Sequence, residues 1–214
     1  MTSPISDKDL EKLAAVSINT GLNLKKGQPL VITAPLNAQP LVQKLTEQAY
    51  KAGASLVTTI YTDEADTLAR YEFGPDESFD KAPGWLFEGM GKAFTEGAAR
   101  LAVAASNPML LAEMDAEKVS RANKAQSIAA KPAMQPIVTF QTNWNIISYP
   151  HPEWAKLVFP GISEDEAMKK LAAAILKISR VDGPDPVSAW AKHDAALAER
   201  FSRLTEDAGQ PHRF

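Results

Sequence analysis

The sequence predicts an α/β fold: a parallel or mostly parallel sheet with helices on both faces, ending in a long connecting helix. Three observations predict it. Short apolar, β-rich runs alternate along the chain with amphipathic helical patterns, the arrangement that produces a parallel sheet covered on both sides. Three of these runs, TAP, ASNP and SYP, pass into proline within a few residues, and proline is tolerated in the first turn of a helix. Near the end, a breaker, DGPDP (Asp182 to Pro186), precedes a last long helical stretch.

The elements follow in order. Ser6 to Gly21 reads as a helix, with Ser6 as cap, Asp9 at the capping-box position, and Leu10, Leu13, Ala14 and Ile18 on one face. LVITA (Leu30 to Ala34) is the first strand, and the helix after it carries Leu41, Val42, Leu45 and Ala49 on one side and stops at Gly53. SLVTTIY (Ser55 to Tyr61) is the second strand, followed by the acidic DEADTLARY. FDKAPGWLFEGMGKAFTEG is a helix packed on the sheet through Trp85, Leu86, Phe87, Met90 and Phe94, weakened by Gly89 and Gly91. LAVAAS (Leu101 to Ser106) is the third strand, followed by Asn107-Pro108 and a helical MLLAEMD. IVTF (Ile137 to Phe140) offers a further short strand or the lead-in to the next one, NIISY (Asn145 to Tyr149). SEDEAMKKLAAAILKISRV (Ser163 to Val181) carries a Ser163–Glu166 capping box and keeps helical period through Met168, Leu171, Ala172, Ile175 and Ile178. In the final helix Trp190, Leu197 and Phe201 are expected to face inward.

Composition narrows the function classes. The chain's 214 residues suit one large domain or one and a half, and 45% hydrophobic with 23% charged residues is near the globular average. The net charge is -3 and the basic residues are dispersed, which argues against a nucleic-acid surface. Cysteine is absent, so disulfides, thiolate metal sites and cysteine nucleophiles are excluded, and a cytoplasmic location is expected. The polar start, MTSPISDKDLEKL, reads as neither signal nor transit peptide. No apolar run approaches the roughly 18 residues of a membrane span.

Motifs for chemistry are scarce. The histidines are His151, His193 and His212, without HExxH or HxH spacing. Asp63, Glu64 and Asp66 lack the glycine and distal glutamate of a calcium loop and read as a solvated acidic surface. GxGxxG, GxxxxGK[ST] and GxSxG are absent, which disfavours a nucleotide site and a serine hydrolase. In open α/β sheets the ligand crevice lies beyond the carboxyl ends of the strands. The polar groups assigned to that rim are Asn37, Asn107, Asn143, Asn145, Tyr149 and His151. They suffice to touch a ligand and do not amount to a catalytic set. A stand-alone α/β module binding a small ligand without catalysis is one reading of such a chain.

A resemblance supplies the other reading. WNIISYPHPEWAKLVFPGISEDEAMKKLAAAILKISRVDGPDPVSAWAKHDAALAERFSRL (Trp144 to Leu204) resembles the M29 metallo-aminopeptidases, the aminopeptidase T group. The matching elements are Tyr149-Pro150, Trp154-Ala155, Pro160-Gly161, Ser163 to Ala167, Arg180-Val181-Asp182, Asp185-Pro186-Val187, and Trp190 with His193. LAVAASNPMLLAEMDAEKVSRANKA is similar to the family's strand, Asn-Pro and helix segment. The likeness runs from about Leu10 to Leu204; His151 stands where a threonine is usual and Ala172 where a tryptophan is expected.

The resemblance implies an amino-terminal α/β domain at 1–182, with 183–214 a connecting helix and the start of a carboxyl-terminal metal-binding domain absent from the chain. It implies a parent enzyme that removes amino-terminal residues from peptides, with two divalent ions (cobalt, zinc or manganese) polarising the scissile carbonyl and activating water. The family's metal ligands lie in the second half, so none is assigned here, no metal is expected on this chain alone, and the fragment is expected to be inactive. Asn37, Asn107, Asn145, Tyr149 and His151 become candidates for the rim of the substrate cleft. The expected partners are a peptide substrate, the missing half and a second copy in a homodimer, with neither nucleic acid nor membrane.

Overall fold

Ser6 opens the first helix as its spacing to Asp9 predicts: Ser6 Oγ accepts the Asp9 N–H at 3.2 Å and donates to the Asp9 carboxylate at 2.7 Å. The computed structural model describes residues 3–207. Helix α1 (Asp7–Val16) ends in one wider π turn, Ser17–Gly21. Then come β1 (Leu30–Pro35), α2 (Gln39–Lys51), β2 (Val57–Thr62), α3 (Glu64–Phe73), α4 (Gly84–Thr95) and β3 (Ala99–Ala104). The chain continues through α5 (Ala116–Ala129), α6 (Lys131–Val138), β4 (Trp144–Ser148), α7 (Pro152–Val158), α8 (Glu164–Ile178) and α9 (Pro186–Asp207).

The four strands are all parallel, in the order β2-β1-β3-β4, so the predicted fold class is observed. Strand β1 lies inside the sheet and is buried on both sides. Leu30, Ile32 and Ala34 join Leu101 and Val103 beneath α1 and α2, where Leu10, Leu13, Leu41 and Leu45 are fully buried. Val31 turns the other way, against Phe94 of α4 and Ala133 and Ile137 of α6. The approach of α4 to α6 explains one glycine: a Cβ on Gly91 would lie 2.6 Å from the Pro132 carbonyl oxygen. Helices α7 and α8 share a smaller cluster of Ala155, Ala167, Leu171 and Ile175, and Ser163 caps α8 by accepting the Glu166 N–H.

Several local readings are corrected. IVTF forms no strand; Ile137 and Val138 end α6, where Ala133 and Ile137, four apart, face α4. A four-residue apolar run has no period to tell strand from helix, and Pro132 in the first turn starts a helix here. MLLAEMD forms turns, because Asn107 Oδ1 accepts the Met109 N–H and the cap that starts α5 is Asp115, which accepts from Glu117 and Lys118. Trp85 is exposed; Phe87, Met90 and Phe94 make the contact of α4 with its cluster.

In α9, Trp190 packs inward and its Nε1 donates to the Ser179 carbonyl at 2.9 Å. His193 meets Trp190 edge-on, and its Nδ1 accepts from the Arg180 guanidinium at 3.1 Å. Leu197 and Phe201 face solvent instead, because no described element lies against that part of the helix. No helix of the described residues is long and apolar enough to cross a membrane. His212 lies outside the described residues.

Ile32→Ala is expected to destabilise the chain by about 2–5 kcal/mol through lost burial and a cavity. Phe201→Ala, at a side chain 70% exposed, is expected to stay within about 0.5 kcal/mol of wild type. Urea midpoints at constant slope read both, and a costly Phe201→Ala contradicts the solvent-facing placement.

Candidate functional site at the carboxyl edge of the sheet

The chain leaves β1 toward β2 on one side and reaches β3 and β4 on the other, so the topological switch point lies between β1 and β3. In the residues just beyond the strands, side chains tie the ends together. Past β1, Asn37 Nδ2 donates to the Ala105 carbonyl past β3 at 2.9 Å, a bond that crosses the switch point. Past β2, Asp63 caps α3 by accepting the Ala65 N–H at 2.9 Å, which makes Glu64 the first helical residue. One oxygen of Glu64, Oε1, accepts the Asn107 N–H at 2.6 Å, and the other, Oε2, lies 3.3 Å from His151 Nε2 past β4. A single carboxylate thus joins the exits of β2, β3 and β4.

His151 is held by its neighbours in sequence as well. It precedes Pro152, whose ring disfavours helical backbone in the residue before it, and its φ of -126° and ψ of 141° are extended. That geometry makes it the cap of α7: Nδ1 accepts the Glu153 N–H at 3.1 Å. An accepting Nδ1 carries no hydrogen, so in the neutral ring the proton sits on Nε2, which faces Glu64 Oε2 at 3.3 Å. Both ring nitrogens are engaged, and the side chain is 12% exposed. In this state the imidazole has no free lone pair with which to act as a base.

The other rim candidates separate by position. Asn37 and Asn107 stand at the carboxyl edge beside His151. Tyr149 is 3% exposed and turned inward, its hydroxyl donating to Ser3 Oγ at 2.9 Å. Burial pushes the Tyr149 phenol above its ordinary pKa, against the opposing influence of the Ser3 bond. Asn145 lies near the start of β4, with Nδ2 donating to the Ser17 carbonyl at 3.3 Å, and a Cβ on Gly21 would collide with that amide. Asn143 lies just before β4, with Nδ2 donating to the Leu22 carbonyl at 2.8 Å and Oδ1 accepting from Gln28. The sequence reading missed Glu64 as the hub; its one local signal was a carboxylate directly after a capping Asp at a strand end.

A cavity of about 270 Å³ opens at this edge, lined by Ala104, Ala105, Ser106, Pro108 and Trp154. Among the described residues no group of three His, Cys, Asp or Glu side chains converges to hold a metal ion. The donor set here therefore does not fit a resident metal centre, and the groups at this edge are amides, one imidazole, one carboxylate and apolar side chains.

A family model described as thermophilic metalloprotease (M29) matches residues 6–212. The chain belongs to the M29 family. It is 49% identical over 197 residues to aminopeptidase T of Thermus thermophilus, covering 92% of this chain and 48% of that protein. Aminopeptidase 2 of Geobacillus stearothermophilus is 37% identical over 192 residues, 90% of this chain and 46% of its own length. The solved structure of wild-type AmpT from Thermus thermophilus superposes with a TM-score of 0.87 at 47% identity, covering 94% of this chain and 49% of that one. This M29 chain spans about half the length of the relatives it matches.

Within this M29 chain the Glu64–His151 pair is a fastening between strand exits. Glu64→Gln is expected to cost about 1–3 kcal/mol, because one of the two donors facing the carboxylate loses its acceptor. Combined with His151→Ala it should cost less than the sum of the single changes, read by urea unfolding; strict additivity would show that the two side chains do not cooperate. The raised pKa of Tyr149 has a definite sign. Its contribution to stability is fully present below the unfolded value of about 10 and is lost as pH rises through the higher folded value. Wild type should therefore lose more stability than Tyr149→Phe above about pH 10, and parallel pH profiles from thermal melts would refute this.

Proposed function

We propose that this chain is the amino-terminal α/β domain of a metal-dependent aminopeptidase, one that removes residues from the amino termini of peptides by two-metal-assisted hydrolysis. The observation that carries the reading is its 49% identity to aminopeptidase T across 92% of this chain but 48% of that protein. In this reading residues 1–182 form the domain, and 183–214 are the connecting helix and the start of the second half. The metal ions come with that second half, since no described cluster here fits them. The whole protein is cytoplasmic and dimeric.

The part played by this domain is enclosure. The exits of the strands, fastened by Asn37, Asn107 and His151, form a wall of fixed shape along one side of the substrate cleft. The small cavity beside Ala104 and Trp154 offers apolar contact to a peptide side chain. Proton transfer is not assigned to this wall, because both nitrogens of His151 are already engaged.

The reading is tested with L-leucine p-nitroanilide and added cobalt, zinc or manganese. The 214-residue chain is expected to give no turnover and the full-length polypeptide to give metal-dependent turnover. Turnover by the shorter chain overturns its inactivity, and an inactive full-length polypeptide overturns the aminopeptidase reading.

A further inference from the structure

The sheet is covered unevenly. On the side that carries Val31, α4 and α6 shield β1, but the same side of β3 and β4 is left open. The residues on that side are Arg100, Ala102 and Ala104 of β3 and, in register with them, Trp144, Ile146 and Ser148 of β4. Their alternates Leu101, Val103 and Ile147 belong to the main core. Ile146 is 53% and Trp144 38% exposed, and Ala104 is exposed beside them. Strand β4 pairs only with β3 among the described residues, so its outer edge presents unpaired backbone groups. Next to that edge lies a cavity of about 620 Å³ between α1, α8 and α9, which Ile146 also lines.

Arg100 gives this surface a direction. It is partly buried, burial is the sole influence on its pKa, which falls below the ordinary value, and its guanidinium meets no carboxylate among the described residues. A half-buried cation without a counter-charge is costly until one is supplied. Apolar side chains exposed side by side on an uncovered sheet face suit a surface made to be covered.

We propose that this open half-face and the free edge of β4 receive the remaining half of the full-length polypeptide, which brings a carboxylate to Arg100 and apolar side chains to Trp144 and Ile146. The inference rests on the reading of this chain as one half of a longer protein, and two observations favour that occupant. The relatives carry about as much polypeptide again as they share with this chain. A second copy meets a specific obstacle: a two-fold contact centred on this face sets Arg100 against Arg100, like charge against like. The open face adjoins the carboxyl edge at Ala104 and Ser148, so a body seated on it can also reach over the strand exits.

Hydrogen exchange measured by mass spectrometry on the full-length polypeptide and on the 214-residue chain tests the assignment. A peptide spanning Asn145 to Ser148 is expected to exchange about tenfold or more slowly in the longer form, with α5 unchanged. Ile146→Lys, at an exposed position that does not disturb folding, should remove most of that protection, and Arg100→Glu should do the same where it folds. Equal exchange of β4 in both lengths overturns the proposal. So does protection that the shorter chain gains by itself as its concentration rises, since a second copy would then be the occupant. Peptidase activity is read separately. Turnover without β4 protection sinks the docking surface alone, and β4 protection without turnover sinks the aminopeptidase reading alone.

Discussion

The architecture follows from one strand with both of its faces in the interior. Ile32 and Leu30 on one side of β1 and Val31 on the other are all buried, so β1 requires a layer above and a layer below. A parallel neighbour cannot be added by a tight turn, and each crossover has to travel over one of those faces. Burying β1 therefore commits the chain to helices between its strands and sends every strand exit to the same edge. The rim polar groups can meet only because of that commitment. Glu64, Asn107 and His151 follow three different strands and become neighbours because those strands end together.

The strands were legible because apolar runs bounded by Pro, Asn and Gly signal their own limits, and α8 because its cap and its stripe agree. The misread segments are those where the competing cue was short or distant. IVTF had no length over which to show a period, and contact with α4 decided it. MLLAEMD has helical composition, yet Asn107 bends the chain at its start and Asp115 supplies the better cap beyond it. Leu197 and Phe201 follow the helical period faithfully, but period says which residues share a side and not whether anything covers that side.

The candidate site was legible in part for the same reason. Asn37, Asn107 and His151 follow strands directly, so strand assignment alone puts them at the edge. Asn143 and Asn145 belong to the approach to β4 and its first turn of chain, and a boundary shifted by a residue or two is enough to move such groups from one end of a sheet to the other. Glu64 was hidden because its partner Asn107 is 43 positions away and nothing local distinguishes it from the other carboxylates of an acidic stretch.

The fastening at the edge also settles the local electrostatics. Glu64 stands in the first turn of α3, where the helix dipole favours a negative charge. The imidazole of His151 takes a hydrogen bond from the first turn of α7 and faces the same carboxylate with its other nitrogen, so Glu64 also stands close to a second helix end. One formal charge thus serves two helix ends. Strand exits in α/β folds often leave such ends vacant for the phosphate of a cofactor. Here the anion is built into the polypeptide, as the Glu64 carboxylate beside the Asn107 N–H.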